Sequence, residues 1–308
     1  MSQTVSLVLG SGGARGLAHI GVIHELEKRD FDIRAITGCS VGSLIGGFYC
    51  AGKLDVFEDW VCSLSEWDVV RFLDISLTAR NGVVKGDLIM DTLRNLIGDK
   101  RIEDLPIPLT AVATDVVDRK EVWLNSGSLF DAMRASMAIP GVFTPKTING
   151  QVLVDGGLLN PLPSAPATSN GAALTIAVSL SGRDMQEPYG PNPPQQPLSK
   201  IGRYRKSIDA FLGRVQDTLG MERESKEDQE RELGLTDIML GSFDAMQAAI
   251  ARFRLAAYPP DVLIEIPNNI CQTHEIYKAR ALIAAGHYWS TEALERQSTG
   301  NALSPGTT

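Results

Sequence analysis

Long apolar runs are missing from this chain. Nowhere do about 18 consecutive residues stay apolar, the length a helix needs to cross a bilayer, so any membrane contact is expected to be peripheral. The first residues carry no basic stretch followed by an apolar core, so a secretory leader is not expected. Cysteine is sparse: Cys39, Cys50, Cys62 and Cys271 form no C-x-x-C pair, and their spacing suggests neither a zinc site nor a disulfide framework. A reduced, cytoplasmic protein with no metal or other cofactor is the simplest expectation. Basic charge is short as well. Lys and Arg total 29 against 37 Asp and Glu, a net charge of −8. A nucleic-acid partner would call for a basic surplus, so none is expected, although a local basic patch stays open.

What the chain does have is length enough for a full core, 308 residues with 44% apolar side chains, and a regular alternation of patterns. Residues 5–9 and 33–37 read as strands, each followed by a helix, 16–29 and 40–51. Residues 54–78 read as helical or irregular, with Trp60 and Trp67 as core anchors, and 86–96 as a helix. Strands are expected at 109–114, 121–124, 151–154 and 174–179, with a short helix at 129–135. This alternation predicts an α/β fold: three layers, α/β/α, around a central, mostly parallel sheet.

The composition then shifts. Residues 185–198 are rich in Pro, Gly and Gln and read as a linker or exposed loop. Over 201–219, Ile201, Tyr204, Ile208, Phe211, Leu212, Val215 and Leu219 recur at helical spacing, with Arg203, Arg205, Lys206 and Arg214 beside them. Such a stripe either lies on an anionic lipid surface or packs on the core or a second subunit. Residues 222–232 are a mixed charge run; a long helix at 236–256, a strand at 262–266 and a last helix at 274–288 follow. The expected organisation is a core over 1–181, a linker with a helical insert over 182–234, completing helices and a strand over 235–296, and a frayed tail over 297–308.

The most informative stretch is Gly38-Cys39-Ser40-Val41-Gly42, set between the second strand and its helix. Glycines two before and two after a serine permit a sharp strand-to-helix turn that holds the hydroxyl proud of the sheet, the nucleophile elbow. The helix N-terminus then places partial positive charge where an oxyanion develops. Between strand one and helix one lies Gly10-Ser11-Gly12-Gly13-Ala14-Arg15-Gly16. Backbone N–H groups there can converge on an anion. A dinucleotide would want G-x-G-x-x-G/A, but the sixth position is Arg15, and no acidic residue ends strand two; the nucleoside-triphosphate pattern is absent. An oxyanion hole serving Ser40, formed near Gly12, Gly13, Ala14 and Arg15, fits better, because strands one and two are expected neighbours.

A serine nucleophile needs a base. The chain has four histidines. His19 and His24 fall in helix one, His274 and His287 on a polar side of the last helix, and none has the loop setting of a triad histidine. Asp155 suits better: it follows the strand 151–154 and precedes Gly156 and Gly157, which allow close backbone approach. A carboxylate bonded to a serine can take its proton if desolvation raises the carboxylate pKa. A plain Asx-turn at a strand end is the structural alternative.

Taken in order, the glycine loop Ser11 to Gly16, the elbow Gly38 to Gly42 and the Asp155-Gly156-Gly157 triplet resemble the patatin-like phospholipase family over about residues 4–181. The stretch Arg134 to Phe143 resembles the family's segment before the aspartate, and 38–77 with Pro259-Pro260-Asp261 is most similar to bacterial RssA-type, NTE-like members. Ser11 departs from the family's first glycine. The resemblance implies a patatin-like three-layer fold and a Ser-Asp dyad, Ser40 with Asp155, that hydrolyses phospholipid or other lipid esters. Arg15 would orient the loop or meet a lipid phosphate, and Cys39 would pack at the elbow. A transient membrane partner at the inner face and a homo-oligomer stay open. The alternative from another class is a catalytically weak patatin-fold protein with a regulatory or lipid-binding role.

Overall fold

The computed structural model describes residues 2–66, 68–69, 87–167, 171–191 and 235–298. Eight strands form one sheet: β1 (Thr4–Leu9), β2 (Asp32–Cys39), β3 (Leu109–Asp115), β4 (Lys120–Leu124), β5 (Lys146–Ile148), β6 (Gln151–Asp155), β7 (Leu174–Gly182) and β8 (Val262–Pro267). Pairing runs β5-β6-β3-β2-β1-β7-β8, with β4 also on β3. The links β3-β2, β2-β1, β1-β7 and β7-β8 are parallel, while β4 and β6 run antiparallel to β3. Central parallel strands are covered on both faces, so β1 reads as a near-continuous apolar run, buried from Val5 to Leu9.

Side-chain alternation along the strands sorts the helices into two outer layers. Leu7 of β1, Ile176 and Val178 of β7 and Ile264 of β8 join the main core. There they meet α1 (Ala18–Lys28), α2 (Val41–Cys50), α3 (Leu54–Val61), α4 (Asp87–Ile97), α5 (Leu129–Ser136) and α8 (Ala279–Ser298). Val8 and Ala177 point the other way, to Leu162, to Ala167 of α6 (Ser164–Ala167) and to Ala251 of α7 (Leu235–Ala257). The three-layer α/β/α arrangement is therefore present. Each fully buried Ile, Leu or Phe in it contributes about 1.5–3 kcal/mol of apolar burial, which makes the two apolar seams the main source of stability. Trp60 is buried against Phe57, ring centroids 5.8 Å apart, as its anchor role requires. Among the described residues no helix is long and apolar enough to cross a membrane.

Several boundaries differ from the sequence reading. The first helix opens as a 3-10 turn over Gly13–Leu17 and becomes α-helical only at Ala18. β5 is a strand of three residues, too short to leave a periodic signal. The last helix starts at Ala279, not at 274, and reaches Ser298. Its late start has a local cause: the Glu275 carboxylate accepts from Gln272 N–H at 2.8 Å and from Lys278 Nζ at 2.8 Å, which holds 272–278 in a turn. The expected linker begins tied down, since Trp289 Nε1 of α8 donates to Pro188 O at 2.8 Å and Gly190 is buried. Trp67, the 201–219 helix, the 222–232 charge run and the tail from 299 lie outside the described residues.

Helices α1 and α8 cross at backbone contact. A methyl on Gly21 would lie 1.9 Å from the Ile283 carbonyl oxygen. Gly21→Ala is therefore expected to force the two helices apart and to lower stability by about 1–3 kcal/mol, read as a lower urea midpoint. An unchanged midpoint would show that the α1–α8 seam carries little of the fold.

Candidate active site

The elbow is a strained turn held from three sides. β2 ends at Cys39, and Ser40 takes φ 54 and ψ −124 before α2 starts at Val41. For a residue with a Cβ such a conformation costs on the order of 1–3 kcal/mol and persists only when its surroundings over-determine it. Here Ser40 N–H donates to Ser136 Oγ at 2.9 Å. Its carbonyl accepts from Ser43 N–H at 2.9 Å and from Ser43 Oγ at 2.6 Å. The flanking glycines are needed for space: a methyl on Gly42 would lie 2.1 Å from the Leu9 carbonyl oxygen, and one on Gly38 would lie 2.5 Å from the Gly42 backbone. The end of β1, the end of β2 and the start of α2 thus meet at van der Waals distance, with the Ser40 side chain at the helix N-terminus.

Strand register brings Asp155 to the same point. One edge of β3 is taken by β4 along residues 111–115. On its other edge β2 pairs as far as Cys39 opposite Val112, and β6 takes over at the next residue, with Asp155 opposite Ala113. β2 and β6 therefore run head-on along one edge and end facing each other. Cys39 Sγ lies 4.0 Å from Asp155 Oδ1, and Gly156 sits directly on the Val112 carbonyl. Asp155 is fully buried, and its Oδ1 accepts from Gly157 N–H at 2.7 Å. Among the described residues Oδ2 has no hydrogen-bond partner, while the Ser40 hydroxyl lies near enough to pull the carboxylate's pKa down. Burial pushes the Asp155 pKa from 3.8 up to about 7, against the opposing pull of the Ser40 hydroxyl and then the Gly157 N–H.

Ser136, at the end of α5, joins the two halves of the site. Besides accepting from Ser40 N–H, its Oγ donates to the Val112 carbonyl at 2.6 Å. Two residues on, the Ala138 carbonyl accepts from Asp155 N–H at 2.9 Å. Sequence reading marked 134–143 only as a resemblance; the role of Ser136 depends on a contact with β3 that no local pattern announces.

The glycine loop lies beside the elbow, as the parallel pairing of β1 and β2 requires. Gly10 N–H donates to Val178 O at 3.0 Å, Ser11 N–H to Pro161 O at 2.8 Å and Ala14 N–H to Thr273 O at 3.0 Å. Among the described residues the N–H groups of Gly12 and Gly13 have no partner. Arg15 is buried; its Nε donates to Gly12 O at 3.2 Å, and its guanidinium pairs with Asp244 of α7. The head group is thus engaged in holding the loop. Gln247, one turn further along α7, is buried with its amide against Gly157. Neither Asp244 nor Gln247 was legible in advance, because their partners are more than two hundred or about ninety residues away in the chain.

The histidines are engaged elsewhere. His19 is buried, its Nε2 2.9 Å from Gly10 O, and burial lowers its pKa to about 4. His24 Nε2 lies 3.4 Å from Glu58, and His287 Nδ1 lies 3.7 Å from Glu25. His274 sits in the turn before α8 rather than in it. Cys39 is buried, and its thiol is raised well above the usual range, first by burial and then by the Asp155 charge, so it stays protonated at neutral pH. Among the described residues no cluster of three His, Cys, Asp or Glu could hold a metal ion.

Fold and site together define an α/β/α protein built around a serine at a strand–turn–helix elbow, with an aspartate buried beside it. The family model described as patatin-like phospholipase matches residues 7–182, and the chain belongs to that family. An uncharacterized NTE family protein of Mycobacterium bovis is 39% identical over 332 aligned residues, covering 96% of this chain and 92% of its own. Lysophospholipase NTE1 of Yarrowia lipolytica is 34% identical over 198 residues, 61% of this chain and 14% of the longer yeast protein. Patatin-like phospholipase domain-containing protein 6 of Mus musculus is 33% identical over 189 residues, with 59% and 14% covered. Among solved structures, VipD from Legionella pneumophila aligns with a TM-score of 0.43 at 14% identity, covering 96% of this chain and 67% of its own.

Ser136→Ala removes the clamp on the Ser40 N–H while leaving the Ser40 and Asp155 side chains in place. It is expected to slow Ser40 labelling by a fluorophosphonate about ten- to a hundredfold, with a stability loss of only about 1–2 kcal/mol. Labelling at the wild-type rate would mean that the elbow keeps its shape without the clamp.

Proposed function

We propose that the protein is a serine-dependent lipid acyl hydrolase, of the phospholipase A, lysophospholipase or carboxylesterase type, in which Ser40 and Asp155 form a catalytic dyad. One observation carries this reading: a fully buried carboxylate beside the elbow serine, with a pKa lifted to about 7. A general base works best when its pKa lies near the working pH. Membership of a family described as patatin-like phospholipase, and relatives named lysophospholipase and neuropathy target esterase, support a lipid ester as substrate.

In the proposed reaction Ser40 Oγ attacks the ester carbonyl carbon as Asp155 takes the hydroxyl proton. The tetrahedral oxyanion is held by the N–H groups of Gly12 and Gly13, the loop donors without partners, and by the N-terminal field of α2. Collapse expels the alcohol, which recovers the proton from Asp155, and leaves Ser40 acylated. Water then gives a proton to Asp155 as it attacks the acyl carbon; the acyl–Oγ bond breaks, the carboxylic acid leaves, and Ser40 Oγ takes the proton back from Asp155. Arg15 holds the loop through Gly12 O and Asp244. The catalytic core over 1–181 takes Asp244 and Gln247 from the segment after the insert. The protein would work in the cytoplasm and meet lipid at the inner membrane face.

Ser40→Ala and Asp155→Asn are each expected to lower p-nitrophenyl butyrate and lysophospholipid hydrolysis by about a thousandfold or more. A wild type that turns over neither these nor a diacyl phospholipid would overturn the reading in favour of a lipid-binding role.

The base must be ionised to act, so kcat/KM should rise with pH, level off above about 7, and lose that limb in Asp155→Asn. Stability should run the opposite way. The folded-state pKa lies above the ordinary 3.8, so the contribution of Asp155 is full below 3.8 and is lost as pH rises toward 7. Asp155→Asn should therefore be the more stable protein at pH 8, by on the order of 1–4 kcal/mol, with the gain fading toward pH 4. Thermal melts across that range read the difference directly.

A further inference from the structure

Nine large apolar side chains stand exposed among the described residues, and all but Met185 lie on two elements that touch. One group is on or at the end of α7: Ile238, Met239, Met246, Phe253 and Tyr258. The rest are on the β3–β4 hairpin, chiefly Val117 and Trp123. Phe253 is 77% exposed and Val117 70%, which leaves both with almost no protein contact. The two elements are pinned together by Arg254 of α7, whose guanidinium donates to Glu121 of β4 at 3.1 Å. Glu121 also accepts from the Trp123 indole N–H. Globular monomers seldom concentrate exposed apolar side chains in this way without a partner.

The same helix is bound to the candidate site. Asp244 reaches Arg15 of the glycine loop, and Gln247 lies on Gly157 beside Asp155. The exposed side of α7 is thus the outer surface of an element whose inner side supports the reactive groups. Its charges point to the partner. In a chain of net charge −8, Arg119 on the hairpin and Arg252 on α7 are exposed and form no ion pair among the described residues. The acids beside them are engaged, Asp118 with Lys120 at 2.6 Å and Glu121 with Arg254. A second copy docked about a two-fold axis would set these positive charges against themselves. An anionic lipid surface would neutralise them, while Trp123 and Tyr258 suit the polar–apolar boundary of a bilayer.

We propose that the exposed side of α7 and the β3–β4 hairpin form the face by which this protein docks on an anionic phospholipid bilayer. The inference deepens the lipid hydrolase reading, and docking is measured apart from catalysis. The full chain carrying Ser40→Ala, so that lipid is not consumed, is sedimented with phosphatidylcholine vesicles with and without phosphatidylglycerol. It should pellet with the anionic vesicles. Phe253→Ser combined with Trp123→Ser should weaken that binding about tenfold or more, through lost apolar burial. Arg252→Glu should weaken it on anionic vesicles only. With Ser40 intact, all these variants should hydrolyse a soluble short-chain ester at the wild-type rate.

Absence of vesicle binding overturns the proposal, as does equal binding by the Phe253 and Trp123 variant. Light scattering that shows a dimer of the parent chain, broken by the same variant, assigns the face to a second copy and overturns it too. Vesicle binding through this face by a protein that cleaves no ester would uphold the docking surface while removing the hydrolase reading.

Discussion

One edge of β3 decides where everything else must go. β2 leaves that edge after pairing Cys39 with Val112, and β6 arrives from the opposite direction to pair Asp155 with Ala113. Two strands that meet end to end on a shared edge leave no room for a side chain at the junction except at their tips. Asp155 is the tip of one strand, and Ser40 directly follows Cys39, the tip of the other. Val112 serves both: its carbonyl anchors Ser136, which holds the Ser40 N–H, and the same carbonyl is the floor on which Gly156 rests. Moving β6 by one residue would turn Asp155 to the other face of the sheet, so the pairing is a register constraint as much as a contact.

That junction is bought with stability. Ser40 keeps a backbone conformation that a residue with a Cβ rarely adopts, and Asp155 keeps an ionisable group wholly inside protein. Each is unfavourable alone. Each is held by neutral groups rather than by charges: the Ser40 N–H donates to Ser136 Oγ, its carbonyl accepts from the Ser43 N–H and hydroxyl, and Asp155 accepts from the Gly157 N–H. Among the described residues no cation shifts Asp155, so burial prevails and the pKa rises instead of falling. A nearby Lys or Arg would make the carboxylate more stable and a weaker base. The buried Arg15 of the glycine loop is paired with Asp244, and the buried Arg134 donates to Thr144 Oγ1.

Helix α7 connects this interior to the outside. Its inner side meets the site through Asp244 and Gln247, and its outer side is apolar and exposed, with Arg252 exposed beside it and in no ion pair among the described residues. On the inner side Asp244 pairs with Arg15, whose Nε donates to the Gly12 carbonyl, so α7 and the glycine loop share one contact chain.

Local chemistry made part of this legible beforehand. Gly38 and Gly42 around Ser40, the glycine loop after β1 and the glycines after Asp155 are turn signals whose meaning lies within a few residues, because they report backbone approach that only glycine permits. Alternation of apolar patterns likewise set the order of strands and helices and the α/β/α layering. What stayed hidden needed partners far away in the chain. Ser136 looks like any small residue ending a helix until β3 lies beneath it, and Asp244 looks like a surface acid until Arg15 turns toward it. α8 starts later than its residue pattern suggests because Glu275 holds 272–278 in a turn of its own. By itself the sequence determined the tight turns of the elbow, of the glycine loop and after Asp155, since these depend on short-range sterics. Only the tertiary structure decided how they are held, how far the aspartate pKa rises and which helix covers them, because burial and register exist only once the sheet has closed.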